Sequence, residues 1–208
     1  MKNVLTSLTV AFFLLIVFSI TGICQDNLPP EWVFDDDDEI VHWGGMNQLA
    51  ALELDTVTDK SGEKRNVLLT VSTGADPYVF PDGDWNGFIP DIEPFSGKEY
   101  GIIYIGVRVN VSNQWQIYFV SEEDGTFTEA QRQNFQVDAT GDFEDLEFEM
   151  TDGGWPEKSI KGFRLDPGTI AGVEAEIDYI SLRGLPEGLE KAVDKAGKLA
   201  GTWGSLKK

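Results

Sequence analysis

Residues 82–93 carry oxygen-bearing side chains at the spacing that calcium-binding loops use. The segment reads Asp-Gly-Asp-Trp-Asn-Gly-Phe-Ile-Pro-Asp-Ile-Glu, which fits the pattern D-x-D-x-N-G-x5-E throughout. In such a loop a glycine makes the sharp turn, and the final glutamate binds the cation with both carboxylate oxygens. The predicted ligands are the side chains of Asp82, Asp84, Asn86 and Glu93 and the backbone carbonyl of Phe88.

The residues around this loop do not predict the two helices of an EF-hand. Residues 78–80 have the composition of a strand, and Pro81 and Pro94 border the loop. Pro94 also biases Glu93 away from helical geometry. Two alternatives therefore stay open: a calcium loop without flanking helices, or a chance match in a chain rich in acidic residues.

Two tryptophans in turn-rich segments are candidate platforms for a sugar. Trp85 lies in the segment 82–87, and Trp155 lies in the segment 153–156. Aromatic rings stack on the flat apolar faces of sugars while neighbouring polar side chains bind the hydroxyls. A large ring in a loop is either displayed to solvent, which predicts stacking on a sugar, or clamped against the body of the protein, which does not.

A second candidate surface follows from alternation along residues 114–121. Successive side chains of a strand point to opposite faces, so this segment predicts one buried face and one polar face that bears a ring. The buried set is Trp115, Ile117 and Phe119, and the polar set is Gln116 and Tyr118, together with Arg108 from another strand. Arg164 is a further candidate ligand. The alternatives are that Tyr118 packs beneath a loop and that Arg164 pairs with a carboxylate.

The charge of the chain excludes several classes of function. Its 208 residues include 16 basic and 36 acidic side chains, for a formal net charge of −20. Such a protein repels phosphate backbones and anionic lipid headgroups, which argues against nucleic-acid and peripheral membrane roles. With His42 as the one histidine and Cys24 as the one cysteine, histidine-rich metal sites, Cys/His nucleophiles and internal disulfides are also excluded.

Residues 1–24 resemble a targeting segment rather than part of a folded domain. Lys2 precedes a long apolar run, and small residues lie just before Gln25. This order predicts a secretory signal cleaved before Gln25, and hence an extracellular protein. Lipidation of Cys24 and retention of the run as a membrane anchor are the alternatives.

Short apolar segments separated by turn residues predict strands throughout residues 25–184. Period-two alternation with one polar face is typical of antiparallel sheets, and turns recur at the spacing found in sandwiches. The fold class predicted is all-β, an antiparallel jelly-roll sandwich of two sheets. The predicted strands are 31–34, 48–55, 66–72, 100–110, 114–121, 131–138, 142–150, 159–166 and 173–183.

Residues 185–208 differ in charge from the rest of the chain. This segment contains five lysines and three acidic residues, for a net charge of +2. Leu189, Val193 and Ala196 recur at helical spacing, which predicts a short, weak helix in a C-terminal tail. The tail is either a loose end or a docking peptide for a cell-surface protein, with Trp203 as its anchor.

Two motifs resemble those of a known family. They are Gly162-Phe163-Arg164-Leu165-Asp166-Pro167-Gly168, followed by Ile177-Asp178-Tyr179, and Trp115-Gln116-Ile117-Tyr118-Phe119, followed by Glu123-Asp124-Gly125. Both resemble the galactose-binding-like jelly roll shared by many carbohydrate-binding modules of secreted bacterial proteins, and the similarity spans roughly residues 31–184. The resemblance implies non-catalytic glycan binding. It also implies a structural calcium where the first and last strands meet, held by acidic residues in 35–39 and by Asp178; the alternative is a solvated acidic run with a capping aspartate.

The expected partner is a polysaccharide, because sugars suit aromatic and amide side chains. Net charge favours a neutral glycan over a uronic-acid polymer. Jelly-roll sandwiches also serve as adhesion or interaction domains without a sugar site, and this alternative predicts that Trp85 and Trp155 are buried. A small polysaccharide-degrading enzyme is the remaining alternative, because a pair of carboxylates suffices for glycoside hydrolysis.

Overall fold

In the computed structural model, which describes residues 28–35, 43–81 and 93–187, twelve strands pair into two antiparallel sheets. The strands are β1 (Glu31–Trp32), β2 (Gly44–Met46), β3 (Leu49–Thr58), β4 (Lys64–Ser72), β5 (Tyr78–Phe80), β6 (Phe95–Ser96), β7 (Ile102–Val109), β8 (Asn113–Ser121), β9 (Arg132–Val137), β10 (Glu144–Glu149), β11 (Ser159–Asp166) and β12 (Glu174–Ser181). A single 3-10 turn at Trp155–Glu157 is the only helical element among these residues.

The two sheets have different strand orders and stack face to face. The first sheet runs β10-β7-β12-β4-β3, with β1 paired to β12, and the second runs β2-β5-β11-β8-β9, with β6 paired to β11. Neighbouring strands are often far apart in sequence, as for β7 and β12, which is typical of jelly rolls. The predicted fold class is confirmed.

Alternation along the strands builds the core between the sheets. On β8 the side chains of Trp115, Ile117 and Phe119 are fully buried, as predicted, and they pack against Phe163 and Leu165 of β11 in one hydrophobic cluster. Burying such apolar surface is the dominant favourable contribution to folding. The side chains between them must therefore point away from the core, onto the outer face of the second sheet.

All nine predicted strands are present, and their ends shift by only a few residues. The prediction 159–166 matches β11 completely, whereas 100–110 shortens to Ile102–Val109. The strand composition of residues 78–80 is confirmed as β5. Strands β2 and β6 were not predicted, since segments of two or three residues carry no readable period.

Several predictions fall outside the described residues. They concern the signal segment 1–24 with Cys24, the tail beyond residue 187, Trp85, and the loop 82–93 except Glu93. Within the part of the chain that the structure describes, no helix is both long and apolar enough to cross a membrane.

A β-bulge in β12 shifts the alternation and brings Tyr179 to the outer face of the first sheet. The pairing of β12 with β7 is displaced between Ile177 and Tyr179, so that Tyr179 lies opposite Gly106. Its hydroxyl donates to Asp145 Oδ1 at 3.0 Å, and its ring occupies the space that a β-carbon at Gly106 would fill. Gly106 is therefore required for this ring to lie flat on the sheet.

We expect Gly106→Ala to lower the free energy of unfolding by about 1–3 kcal/mol, because the added methyl group must displace the Tyr179 ring. The matched control is Gly101→Ala, just before the same strand, where the nearest atom to an added β-carbon is the Gly97 carbonyl oxygen at an ordinary 3.6 Å. Urea denaturation measures both variants. Equal stability of the two would contradict this account of Gly106.

Candidate functional site

The outer face of the second sheet collects aromatic, amide and arginine side chains from four strands. We call it the tyrosine face, and its members are Tyr78, Phe80, Gln116, Tyr118, Arg132, Asn134, Arg164 and Asp166. Strand register brings them together: across β8 and β9, Gln116 lies opposite Asn134 and Tyr118 opposite Arg132, and across β8 and β11, Tyr118 lies opposite Arg164. The predicted grouping of Gln116 and Tyr118 on one polar face is confirmed.

Arg164 lies at the centre of this face, clamped between two rings. Its guanidinium carbon is 4.0 Å from the ring centroid of Tyr78 and 4.3 Å from that of Tyr118. Its Nε and Nη2 each donate to one oxygen of Asp166 at 2.6 Å. A planar guanidinium suits this combination of stacking and bidentate pairing. The predicted alternative, that Arg164 pairs with a carboxylate, is confirmed.

A second carboxylate on Arg164 is positioned by the turn between β2 and β3. Arg164 Nη2 also donates to Asp76 Oδ1 at 3.2 Å. Asn47 Nδ2 donates to the backbone oxygen and to Oδ2 of Asp76, both at 2.9 Å, and the Asp76 amide donates to Gln48 Oε1. Asn47 and Gln48 both have positive φ angles, so a tight turn points their amides at Asp76. Sequence reasoning missed Asp76 because this contact is long-range.

Tyr118 is buried beneath other side chains and displays no flat ring. Only 4% of it is exposed, its hydroxyl donates to Glu129 Oε1 at 2.9 Å, and Arg132 Nη1 donates to the same hydroxyl at 3.2 Å. With Arg164 over its ring, Tyr118 positions two arginines rather than offering a platform. The alternative in which Tyr118 packs under a loop is thus the observed one, since Glu129 belongs to the β8–β9 loop.

Half-exposed rings lie at one side of the tyrosine face. The ring centroids of Tyr78 and Phe80 are 5.6 Å apart, and Phe127 stacks on Phe80 at 6.1 Å with the planes 7° from parallel. Phe80 is buried, whereas Tyr78 and Phe127 are each half-buried. These two rings were missed by sequence reasoning, because single aromatics in strands and loops are more often core residues than binding residues.

Arg108 does not belong to this face, and its predicted grouping with Gln116 and Tyr118 is wrong. It lies on β7, in the other sheet, where its Nε donates to Glu176 and its Nη1 to the Thr58 carbonyl. Its guanidinium also lies over the ring of Phe143 at 4.8 Å. The sequence correctly showed which residues of a strand share a face, but it did not show which of the two sheets the strand joins.

Trp155 is fully buried, so the prediction that it displays its ring is wrong. The ring packs edge-on against Phe119 at 5.1 Å, and its Nε1 donates to the Tyr100 carbonyl at 3.0 Å. Gly154 turns the chain with a φ of 81° just before the 3-10 turn, which directs the tryptophan inward. Trp85 lies outside the described residues, and its display stays a prediction.

The predicted cation ligand Asp178 is used otherwise. Arg65 Nη1 donates to its Oδ2 at 2.6 Å, so a guanidinium already supplies the positive charge that a cation would bring. Most of the acidic run 35–39 lies outside the described residues, and among those that are described no three acidic, histidine or cysteine side chains are grouped to hold a metal. Whether Asp178 and the acidic run 35–39 together hold calcium stays a prediction.

Burial sets the protonation behaviour of the tyrosine face. Asp166 is 1% exposed, and burial raises its pKa to about 7 even though Arg164 acts in the opposite direction. Asp76 and Glu129 add like charge, which raises the pKa of Asp166 further. Burial also raises the pKa of Tyr118, so this hydroxyl keeps its proton and remains a donor to Glu129.

We expect the free energy of unfolding to fall as pH rises from about 4 to about 7. In this range folded Asp166 retains a proton that the unfolded chain, with a pKa near 3.8, has released. Asp166→Asn should lose much of this slope, and the remainder belongs to Asp178, whose pKa is also raised by burial. Denaturant unfolding at several pH values measures the slope.

The matched control for this measurement is Asp59→Asn. The pKa of Asp59 is lowered to about 2 by hydrogen bonds, the largest from Ser61, so it titrates below this range and its replacement should leave the slope intact. An unchanged slope in Asp166→Asn would show that Asp166 is ionised throughout.

No family model and no curated protein matches the sequence. An exo-β-agarase structure superposes with a TM-score of 0.52 at 12% identity over 74% of this chain, and the chain spans about a quarter of the agarase, 24%. A family 30 carbohydrate-binding module gives 0.47 at 12% identity, covering 73% of this chain and 98% of that one. A family 11 module from Clostridium thermocellum gives 0.41 at 15% identity, covering 72% and 93%. The resemblance noted in the sequence is confirmed at the level of fold.

Proposed function

We propose that this protein is a secreted, non-catalytic glycan-binding module and that the sugar binds on the tyrosine face. The observation that carries the proposal is the placement of the half-exposed rings Tyr78 and Phe127 on the same sheet face as the amides Gln116 and Asn134. Rings contact the apolar side of a sugar, and amides both donate to and accept from hydroxyls.

The polar part of the proposed site is an ordered amide pair. Gln116 Nε2 donates to Asn134 Oδ1 at 3.0 Å, which fixes both amide orientations and leaves the Asn134 amide nitrogen for a ligand. Arg132 pairs with the mostly exposed Glu129 beside them, and both present polar atoms to solvent. Such pre-ordered groups lose little conformational entropy when a sugar binds.

The charges of this face favour a neutral glycan. Arg132 and Arg164 lie beside three carboxyl groups, those of Asp76, Asp166 and Glu129, and each arginine is paired. No unpaired guanidinium of this set is left for a uronic acid, and the net charge of −20 repels polyanions at longer range. The fold shared with an exo-β-agarase supports a carbohydrate ligand, without bearing on its charge.

A second candidate function is an interaction or adhesion sandwich without a sugar site. The burial of Trp155 favours it, because that alternative predicts this tryptophan to be inside the protein. Both candidates are non-catalytic, and they differ in whether the tyrosine face binds polysaccharide.

Affinity electrophoresis of the protein against neutral and acidic polysaccharides tests the proposal. We expect retardation by a neutral polymer and about tenfold weaker binding in the double variant Gln116→Ala/Asn134→Ala, since each lost hydrogen bond contributes about 0.5–1.5 kcal/mol. Arg132→Gln should also weaken binding, because its guanidinium borders the amide pair.

Matched controls lie on the first sheet. Thr56→Ala/Asn66→Ala removes another hydrogen-bonded pair between neighbouring strands, and Arg108→Gln removes another arginine paired with a glutamate. Both should bind as the parent does. No retardation by any polymer would reject the glycan proposal in favour of an interaction domain, and equal losses in site and control variants would place the sugar elsewhere.

We also propose calcium binding at residues 82–93, on the sequence pattern alone. If the loop binds calcium, the cation stabilises the folded state by mass action, and millimolar calcium should raise Tm relative to EDTA. Asp84→Asn should abolish the shift, and magnesium serves as the control cation. An unchanged Tm in calcium and EDTA would show that the pattern is a chance match.

A further inference from the structure

A small cavity lies at the outer face of the first sheet, beside the residues that follow β12. It measures about 220 Å³ and is lined by residues 99–102, Tyr104 and residues 182–184. Its apolar contribution comes from Tyr100, Ile102, Tyr104 and Leu182, and Ile102 is 38% exposed. The volume is below the roughly 300–1,000 Å³ typical of small-molecule sites, which suits one or two protein side chains better.

Acidic side chains of strand β10 lie beside two of the residues that line this cavity. Glu147 lies opposite Tyr104 and Glu149 opposite Ile102 in the register of β10 with β7, and both glutamates are exposed. Glu99, which lines the cavity, is exposed and lies beside Lys98 in sequence. The arginine in the lining, Arg183, is already paired with Glu31 at 2.7 Å. The surroundings are therefore apolar in the middle and predominantly acidic at the edge.

The C-terminal segment that follows this part of the chain has a charge opposite to that of β10. The cavity is lined by residues up to Gly184, and residues 185–187 separate that position from residues 188–208. This segment has five lysines against two acidic residues, a net charge of +3 in a chain whose total is −20. Each residue reaches up to about 3.5 Å, so a segment of 21 residues is long enough to reach β10.

We propose that residues 188–208 bind back onto the first sheet at this cavity, placing apolar side chains over Ile102 and Tyr104 and lysines beside Glu147 and Glu149. The occupant is a segment of the same chain, because the chain that leads to it lines the cavity as far as Gly184 and its charge is opposite to that of β10. Tethering gives it an effective concentration in the millimolar range, which makes even a weak contact well populated. The proposal is independent of the glycan site, which lies on the other sheet.

Trypsin digestion of the full chain tests this contact, because bound lysines are cut more slowly than free ones. The cleavage sites followed by mass spectrometry are Lys191, Lys195 and Lys198. We expect Glu147→Lys/Glu149→Lys to be cut at these sites severalfold faster than the parent protein, and the parent to be cut faster in 1 M salt, where charge attraction is screened over about 3 Å.

The matched control is Glu53→Lys/Asp55→Lys, on the opposite edge strand of the same sheet. Both residues of this pair are also exposed and two positions apart, and the change in net charge is the same. The control should be cut like the parent. Equal cleavage of all three proteins would overturn the proposal and leave the tail free for another protein. Protection that grows with protein concentration would also overturn it, by identifying a second copy as the binding partner.

Discussion

The pairing of β8 with β11 is the constraint on which both the core and the candidate site depend. These two strands bury Trp115, Ile117 and Phe163 on one face, and the register that achieves this also sets Tyr118 opposite Arg164 on the other. Because side chains alternate with period two, a slip of one residue would expose the core and bury the arginine. The large apolar area between the sheets therefore holds the polar face in place.

The side chains of the tyrosine face also offset the desolvation free energy of Asp166, which the strand register buries. Asp166 has almost no contact with water, and an unpaired carboxylate there would be strongly destabilising. Arg164 compensates with two hydrogen bonds, and the rings of Tyr78 and Tyr118 hold the guanidinium by stacking. The hydrogen bonds and stacking that stabilise these groups also order the surface beside the amide pair, so neighbouring residues of one face serve the structural role and the proposed binding role.

The sequence correctly predicted which side chains of one strand share a face, because that depends only on local alternation. It did not predict which side chains of different strands lie together, because that depends on which sheet each strand joins. Alternation along β8 correctly placed Gln116 and Tyr118 on one face, since that inference needs only neighbouring residues. It misplaced Arg108, because which sheet β7 joins is decided by contacts with β10 and β12 far along the chain. Trp155 was misread for a related reason: turn residues indicate a loop, but only the packing against Phe119 shows which way its ring points.

Charge divides the two outer faces, and this division bears on both proposals. The first sheet exposes acidic residues on β3, β10 and β12, such as Glu53, Glu147 and Glu174, whereas the charges of the tyrosine face nearly cancel. A neutral polymer that approaches the tyrosine face replaces water without separating unlike charges. A lysine-rich segment gains most on β10, where like charges repel one another until a cation lies between them. In a strongly acidic chain, the tyrosine face is thus suited to an uncharged ligand. The acidic outer face of the first sheet is suited to the proposed contact with the basic residues 188–208.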